Sequence, residues 1–372
     1  METIDLLRLM ANKGASDLFV TVGAPPSLKV DGQVLPIKTD ALEADGARHL
    51  AYSLMDDRQR QQFETDKDAN FAVNPEGLGR FRVNVFHQQG MVGMVIRRIS
   101  SHIPTFKELN LPEPIFEKIA MMRRGLIFFV GGTGTGKSST QAAVLGYRNR
   151  HTRGHIVTVE DPIEFVHQHD RCIVTQREVG VDTLSYRSAL ENAMRQAPDV
   201  IQIGEVRTPE TMKSALVFAE TGHLCLATLH ANNTYQALER VINLYPDDSR
   251  DHLFMDLSMN LRAIISQRLI PNIKEGGSVP AIEIMLNSPL ISDLIMKGEV
   301  NEIREAMEKS TDEGMMTFDQ SLFLLYERGL ISYEDALRSA DSVNNLRLRI
   351  KLEGEDAKSK KELGSTFDQV EF

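Results

Sequence analysis

The densest chemistry in this 372-residue chain lies in Val130-Gly131-Gly132-Thr133-Gly134-Thr135-Gly136-Lys137-Ser138-Ser139-Thr140. The spacing fits G-x-x-x-x-G-K-[ST], a loop whose glycines let backbone N–H groups crowd around a phosphate while the following helix N-terminus adds partial positive charge. Gly131, Gly132, Thr133, Gly134, Thr135, Gly136 and Ser139 form the cradle, Lys137 reaches the β- and γ-phosphates, and the Ser138 hydroxyl sits on Mg²⁺. The apolar run Leu126–Val130 before the loop and the helical stretch Ser139–Leu145 after it supply the strand and helix the motif demands. The loop predicts a nucleoside triphosphate carried with Mg²⁺; the bland alternative is a glycine turn beside an exposed lysine.

A second set of reactive residues follows short apolar runs. His155–Val159 ends on Glu160-Asp161, Val200–Ile203 ends at Gly204-Glu205, and Leu224–Leu229 ends at His230. Ligands of open parallel sheets bind outside the carboxyl ends of the strands, so Lys137, Glu160, Asp161, Glu205 and His230 are expected to converge on one crevice. Hydrolysis of a γ-phosphate needs a positioned water, Mg²⁺ and compensation of charge on the phosphoryl oxygens. Glu205 is the candidate for contact with Mg²⁺-bound water or for orienting the attacking water, and Glu160 is the second candidate for activating that water. Taken singly, each is also what an ordinary exposed acid after a strand looks like. Asp199 begins its strand, at the wrong end for the metal. His223 and His230 bracket one strand about 23 Å apart and cannot ligate one ion within a subunit. His230 is placed to sense the γ-phosphate; for His223 a structural and an intersubunit role are both open. In the N-terminal third, Arg80 and Arg82 share a strand face and Arg97 lies on a later strand. They form either a solvated face or arginines presented to a nucleotide held elsewhere, a device that phosphoryl transfer often uses.

The elements that must position these residues fall into two patterns. Residues 1–100 mix a short helix from Ile4, a strand at Asp17–Val22, a hairpin signal at Asp31-Gly32, a helical segment from Asp40 to Phe63, and strands at Phe81–Phe86 and Met91–Ile96. That mixture indicates a small α+β domain. Residues 101–114, with prolines at 104, 112 and 114, read as a linker. From 115 to 350 strands alternate with helices, the signature of an α/β domain with a largely parallel sheet, closed by helices that include a long one around Leu253–Gln267. Residues 351–372 are charged and poor in apolar side chains, and are expected to be disordered.

Composition bounds the rest. A net charge of −10 argues against nucleic acid as the main partner. Two cysteines, Cys172 and Cys225, exclude a disulfide framework or a four-cysteine zinc site within the chain and suit a cytoplasmic protein. No apolar run approaches a membrane span and the N-terminus lacks a basic start, so no direct membrane insertion is expected.

These residues together resemble a known family. Gly131–Ser138 is similar to the Walker A motif of secretion-type hexameric ATPases, Val159–Phe165 to their acidic Asp box, Pro198–Arg207 to their Walker B motif, and Thr221–Asn232 to their His box. Within that superfamily the chain resembles the type IV pilus retraction motors of the PilT/PilU family; it lacks the long N-terminal extension and zinc insert of the assembly ATPases. The resemblance implies a PAS-like N-terminal domain, a RecA-like P-loop ATPase domain, ATP as the nucleotide, a homo-hexameric ring, and action on an inner-membrane pilus platform protein from the cytoplasmic face. It implies that Glu205 and Glu160 are the two catalytic acids, that His223 and His230 are the box histidines, and that Arg82 and Arg97 reach the nucleotide. Thr208, Gly180-Val181, the arginine-free stretch Pro289–Met296 and the charged tail depart from the PilT pattern and point to the PilU branch, an accessory to a PilT-type retraction ATPase. The competing readings are an assembly or secretion ATPase, a ring that scarcely hydrolyses ATP itself, and a RecA-like nucleic-acid translocase.

Overall fold

A computed structural model describes residues 2–311 and 314–353. The described residues divide into two compact units, one of those up to 103 together with 163–168, the other of 104–162 together with those from 169 to 353.

The first unit is built on β1 (Asp17–Val20), β2 (Ser27–Val30), β3 (Gln33–Pro36), β4 (Asp68–Val73), β5 (Phe81–Gln88) and β6 (Met91–Arg98). They form one antiparallel sheet in the order β3-β2-β1-β6-β5-β4. The β2–β3 hairpin turns on Asp31 and Gly32 at φ 48° and 80°, the left-handed pair that an Asp-Gly hairpin requires. Phe81, Val83 and Val85 alternate into a core with Leu6, Leu7, Met10 and Phe63 from the helices, while Arg82 and Asn84 take the other face of β5. The helical segment expected over residues 40–63 is two helices, Ala44–Tyr52 and Asp57–Asp66. Asp56 starts the second with a capping box, its carboxylate accepting from the Gln59 N–H at 2.7 Å.

The second unit holds β7 (Gly125–Val130), β8 (Gly154–Glu160), β9 (Cys172–Glu178), β10 (Val200–Ile203), β11 (Leu224–Leu229), β12 (Leu261–Pro271) and β13 (Ser278–Leu286). Their order is β13-β12-β7-β11-β10-β8-β9, parallel from β12 to β9 with β13 antiparallel at the edge. Every residue of β7, β10 and β11 is buried, as expected of strands covered on both faces. Along β7, Leu126, Phe128 and Val130 enter one core cluster, while Ile127 and Phe129 enter the other beneath the helix Lys137–His151. Phe106 and Leu111, from the stretch expected as a linker, are buried in that second cluster.

One expected element is corrected. The helix around Leu253–Gln267 ends at Asn260, and Leu261–Pro271 is a strand paired in parallel with β7 and antiparallel with β13. Its run Ala263-Ile264-Ile265 is apolar on both faces, which periodicity alone does not separate from a buried helix, and the β-branched pair settles it towards a strand in this context. The edge strand β9 was also not expected. The helices Phe318–Glu327, Tyr333–Ser339 and Val343–Glu353 close the unit, with Phe318, Leu322, Ala336 and Leu346 packed on Ile270 and Val279. The tail expected to be disordered lies, from residue 354 on, outside the described residues.

Glu283 of β13 is 4% exposed and accepts a hydrogen bond from the Thr234 N–H at 2.7 Å. Burial raises its pKa to about 7; the Asp341 charge adds to the rise, and the Thr234 hydrogen bonds and Arg268 oppose it. The folded chain therefore binds a proton here that the unfolded chain has released, and stability falls as pH rises from about 5 to about 7. In Glu283→Gln, denaturant midpoints measured across that range should gain on wild type with rising pH and level off above about 7. A gap that does not change with pH would contradict this placement.

Candidate functional site

The loop after β7 has the shape its glycines predict. Gly131, Gly134 and Gly136 take φ of 149°, 78° and 86°, and Gly136 precedes the first residue of the helix Lys137–His151. A Cβ at 131 would lie 2.5 Å from the Thr135 hydroxyl and 2.8 Å from the Gln267 carbonyl oxygen; one at 136 would lie 2.7 Å from Gln267 Nε2. Lys137 Nζ donates to the carbonyls of Gly131 at 2.9 Å and Gly132 at 2.6 Å, which holds its charge over the loop. Thr135 Oγ1 donates to the Gly132 carbonyl at 2.9 Å. Gly132, Thr133 and Gly134 are exposed, and Ser138 and Ser139 are half-buried in the first helical turn. The cradle has room for phosphate where side chains would obstruct it, so the residues fit the group the motif implies.

The parallel register places the other candidates along the same edge. Val130 pairs with Leu229 and Ser266, and Ile203 pairs with Val159 and Ala227, so Gly131, His230, Gly204-Glu205 and Glu160 lie at the carboxyl ends of their strands, and Gln267, within the longer β12, comes next after the partner of Val130. Glu205 sits between Arg207 and His230, with Arg207 Nη2 at 2.6 Å and His230 Nε2 at 3.3 Å. Burial pushes its carboxyl up, but the Arg207 hydrogen bond and the charges of His230, Arg207 and Arg240 outweigh it and hold the pKa below the ordinary value. Glu205 is thus ionised at neutral pH. Glu160 is 8% exposed and accepts from Thr158 Oγ1 at 2.5 Å and Gln176 Nε2 at 3.2 Å. Arg240 Nη1 donates to the His230 carbonyl at 2.8 Å and anchors the loop that carries the histidine.

The remaining candidates lie elsewhere. His223 is at the opposite end of β11, its Nδ1 3.1 Å from the Phe218 carbonyl and 3.0 Å from Thr221 Oγ1, where it closes the end of the helix Pro209–Glu220. Asp199 is at that end too, accepting from the His155 N–H at 2.8 Å. Arg82 and Arg97 are in the first unit, cross-strand partners on β5 and β6. Arg97 Nε donates to Asp17 Oδ1 at 2.8 Å, and Asp17 is itself buried.

Two residues of the site were missed. Tyr186 lies against Gly204, its hydroxyl 2.6 Å from where a Cβ there would be. Burial first, then Asp161, Glu160 and Glu205, push its phenol well above the ordinary value, so it stays a neutral donor among three carboxylates. Gln267, 5% exposed, accepts from Thr140 Oγ1 at 2.7 Å and packs on both ends of the glycine loop. Reading 261–271 as a strand beside β7 would have found it; only the helix-starting Ser185 hinted at Tyr186.

A phosphate loop on a parallel sheet, with an acid and a histidine paired at neighbouring strand ends, defines a P-loop nucleotide hydrolase of RecA-like architecture. Residues 6–319 match the family described as Type II/IV secretion system protein. The type IV pilus ATPase PilU of Pseudomonas aeruginosa is 56% identical over 95% of this chain and 93% of its own length. The type IV pilus retraction ATPase PilT of the same organism is 41% identical over 93% of this chain and its full length. The crystal structure of the pilus retraction motor PilT with bound ADP superposes with a TM-score of 0.87 at 38% identity, covering 93% of this chain and 99% of that one. The chain belongs to the type II/IV secretion ATPase family, in its PilT/PilU branch.

A methyl group at position 136 meets the Gln267 amide and a backbone that side chains rarely adopt. Gly136→Ala should therefore weaken binding of a fluorescent ATP analogue about tenfold or more. Wild-type affinity in that variant would contradict the packing described.

Proposed function

We propose that this chain is the ATP-hydrolysing subunit of a homo-hexameric motor of type IV pilus retraction and twitching motility, acting as a PilU-like accessory to a PilT-type ATPase. The observation that carries the reading is the common strand edge, on which Lys137, Glu205 and His230 follow β7, β10 and β11 and Glu160 ends β8. The glycine loop from Gly131, with Thr133, Thr135 and Ser139, takes the phosphates; Lys137 neutralises the β- and γ-oxygens. Ser138 and, through water, Glu205 would hold Mg²⁺. Mg²⁺ draws charge from the phosphoryl oxygens when bound. Of the two acids, Glu205 is ionised and faces His230, an arrangement that suits orienting a water and reporting on the γ-phosphate. Glu160, held by Thr158 and Gln176, is the second acid for the same water. His223, at the far end of the sheet, serves structure or a subunit boundary. Arg82 and Arg97 supply cationic charge to the transition state.

No helix among the described residues is long and apolar enough to cross a membrane. Work on the inner-membrane platform protein is accordingly assigned to docking at the cytoplasmic face. The PilU-like assignment is supported by the 56% relative and by Thr208, Gly180 and the Pro289–Met296 helix, which depart from the PilT pattern.

Lys137→Ala should lower ATP turnover about a hundredfold or more while the chain still folds and assembles. Turnover should rise when the wild-type ring is mixed with a PilT-type partner, and DNA should not stimulate it. Unchanged turnover in Lys137→Ala would sink the assignment.

A further inference from the structure

Arg268 is the residue of β12 next to Gln267, and its side chain joins two segments far apart in sequence. Nη2 donates to the Asn232 carbonyl at 3.1 Å and lies 2.7 Å from Asp341 Oδ1, while Nη1 donates to the Ser339 carbonyl at 2.7 Å. The guanidinium carbon stands 3.9 Å over the ring of Phe318, which is fully buried. Such a fork is specific to arginine, because lysine offers one compact ammonium in place of a planar set of donors.

Each end of this link continues. On the site side, Asn232 is two residues beyond His230, and the Asn233 side chain caps the helix Thr234–Ile242 by accepting from the Gln236 N–H at 3.0 Å. On the other side, Asp319 accepts the N–H groups of Asp341 at 2.8 Å and Ser342 at 3.1 Å, and Arg304 holds Asp319 at 3.0 Å. The turn between the helices Tyr333–Ser339 and Val343–Glu353 is therefore fastened through one side chain to the loop that presents His230 to Glu205.

We infer that Arg268 is a positioning residue: it fixes the His230–Asn233 loop for hydrolysis and passes nucleotide-dependent movement of that loop to the C-terminal helices. The inference rests on the proposed ATPase reading. A displacement of His230 on γ-phosphate binding or loss would pull on the Asn232 carbonyl. The fork would carry the pull to Ser339 and Asp341, because three of its contacts cannot be kept unless both segments move together.

The test uses the full chain as wild type, Arg268→Ala, Arg268→Lys and Asp341→Asn. Amide hydrogen exchange over residues 339–346 is measured with and without a non-hydrolysable ATP analogue, alongside kcat, KM and melting temperature. The wild type should change its exchange in this segment when nucleotide binds. Arg268→Ala should lose that response and lower kcat about tenfold, with affinity for the analogue held within about twofold. Arg268→Lys, which keeps the charge without the fork, and Asp341→Asn, which keeps the fork without the opposing charge, should each lose most of the response. A nucleotide response in Arg268→Ala equal to wild type overturns the inference and leaves the ATPase assignment standing. So does a fall in kcat no larger than the loss of folded protein. Absence of nucleotide binding by wild type overturns both.

Discussion

Everything at this site depends on the in-step pairing of the parallel strands. Val130 pairs with Leu229, and Ile203 pairs with Val159 and with Ala227, two residues before Leu229, because the ladders between β7, β11, β10 and β8 run without a bulge. A one-residue slip in any of these pairings would turn a strand's side chains to the opposite face. It would also carry Glu205 or His230 away from the glycine loop by a full residue rise, about 3.3 Å, more than a hydrogen bond tolerates. The apolar character of these strands is thus a condition of the chemistry: burial on both faces fixes the level at which each reactive side chain emerges.

On that edge the electrostatics are arranged by contacts that are short in sequence and space. Arg207 and His230 keep Glu205 charged against the cost of its partial burial, while Tyr186 remains neutral among the acids. A charged carboxylate beside a neutral donor can hold a water with one lone pair aimed outwards. Lys137, resting on the carbonyls of its own loop, has two acceptors to exchange for phosphate oxygens.

The P-loop, Glu160, Glu205 and His230 were legible in the sequence because each comes within two residues of the end of a short, mostly apolar run, and a parallel sheet converts that pattern into position. β12 was not legible. Its apolar residues continue from a helix without punctuation, and the parallel bond to β7 that decides its state joins residues more than 130 positions apart. Gln267 and Arg268 went with it. The Arg97–Asp17 pair was equally hidden: Arg97 read as part of a solvated face or as an arginine presented to a nucleotide, and its partner lies 80 positions away. Tyr186 was visible as a helix start, but its place beside Gly204 comes from packing of that helix on the sheet. Sequence therefore revealed what each strand presents at its end, and missed what long-range pairing brings against it.

The most direct test of the central claim is single-turnover cleavage of ATP by Glu205→Gln, with nucleotide binding measured on the same preparation. Glutamine keeps the shape and one acceptor but neither the charge nor the bridge to Arg207 and His230. Binding should stay within about threefold of wild type while cleavage falls about a hundredfold to a thousandfold. Cleavage near the wild-type rate would mean that the strand edge binds nucleotide without Glu205 taking part in its hydrolysis.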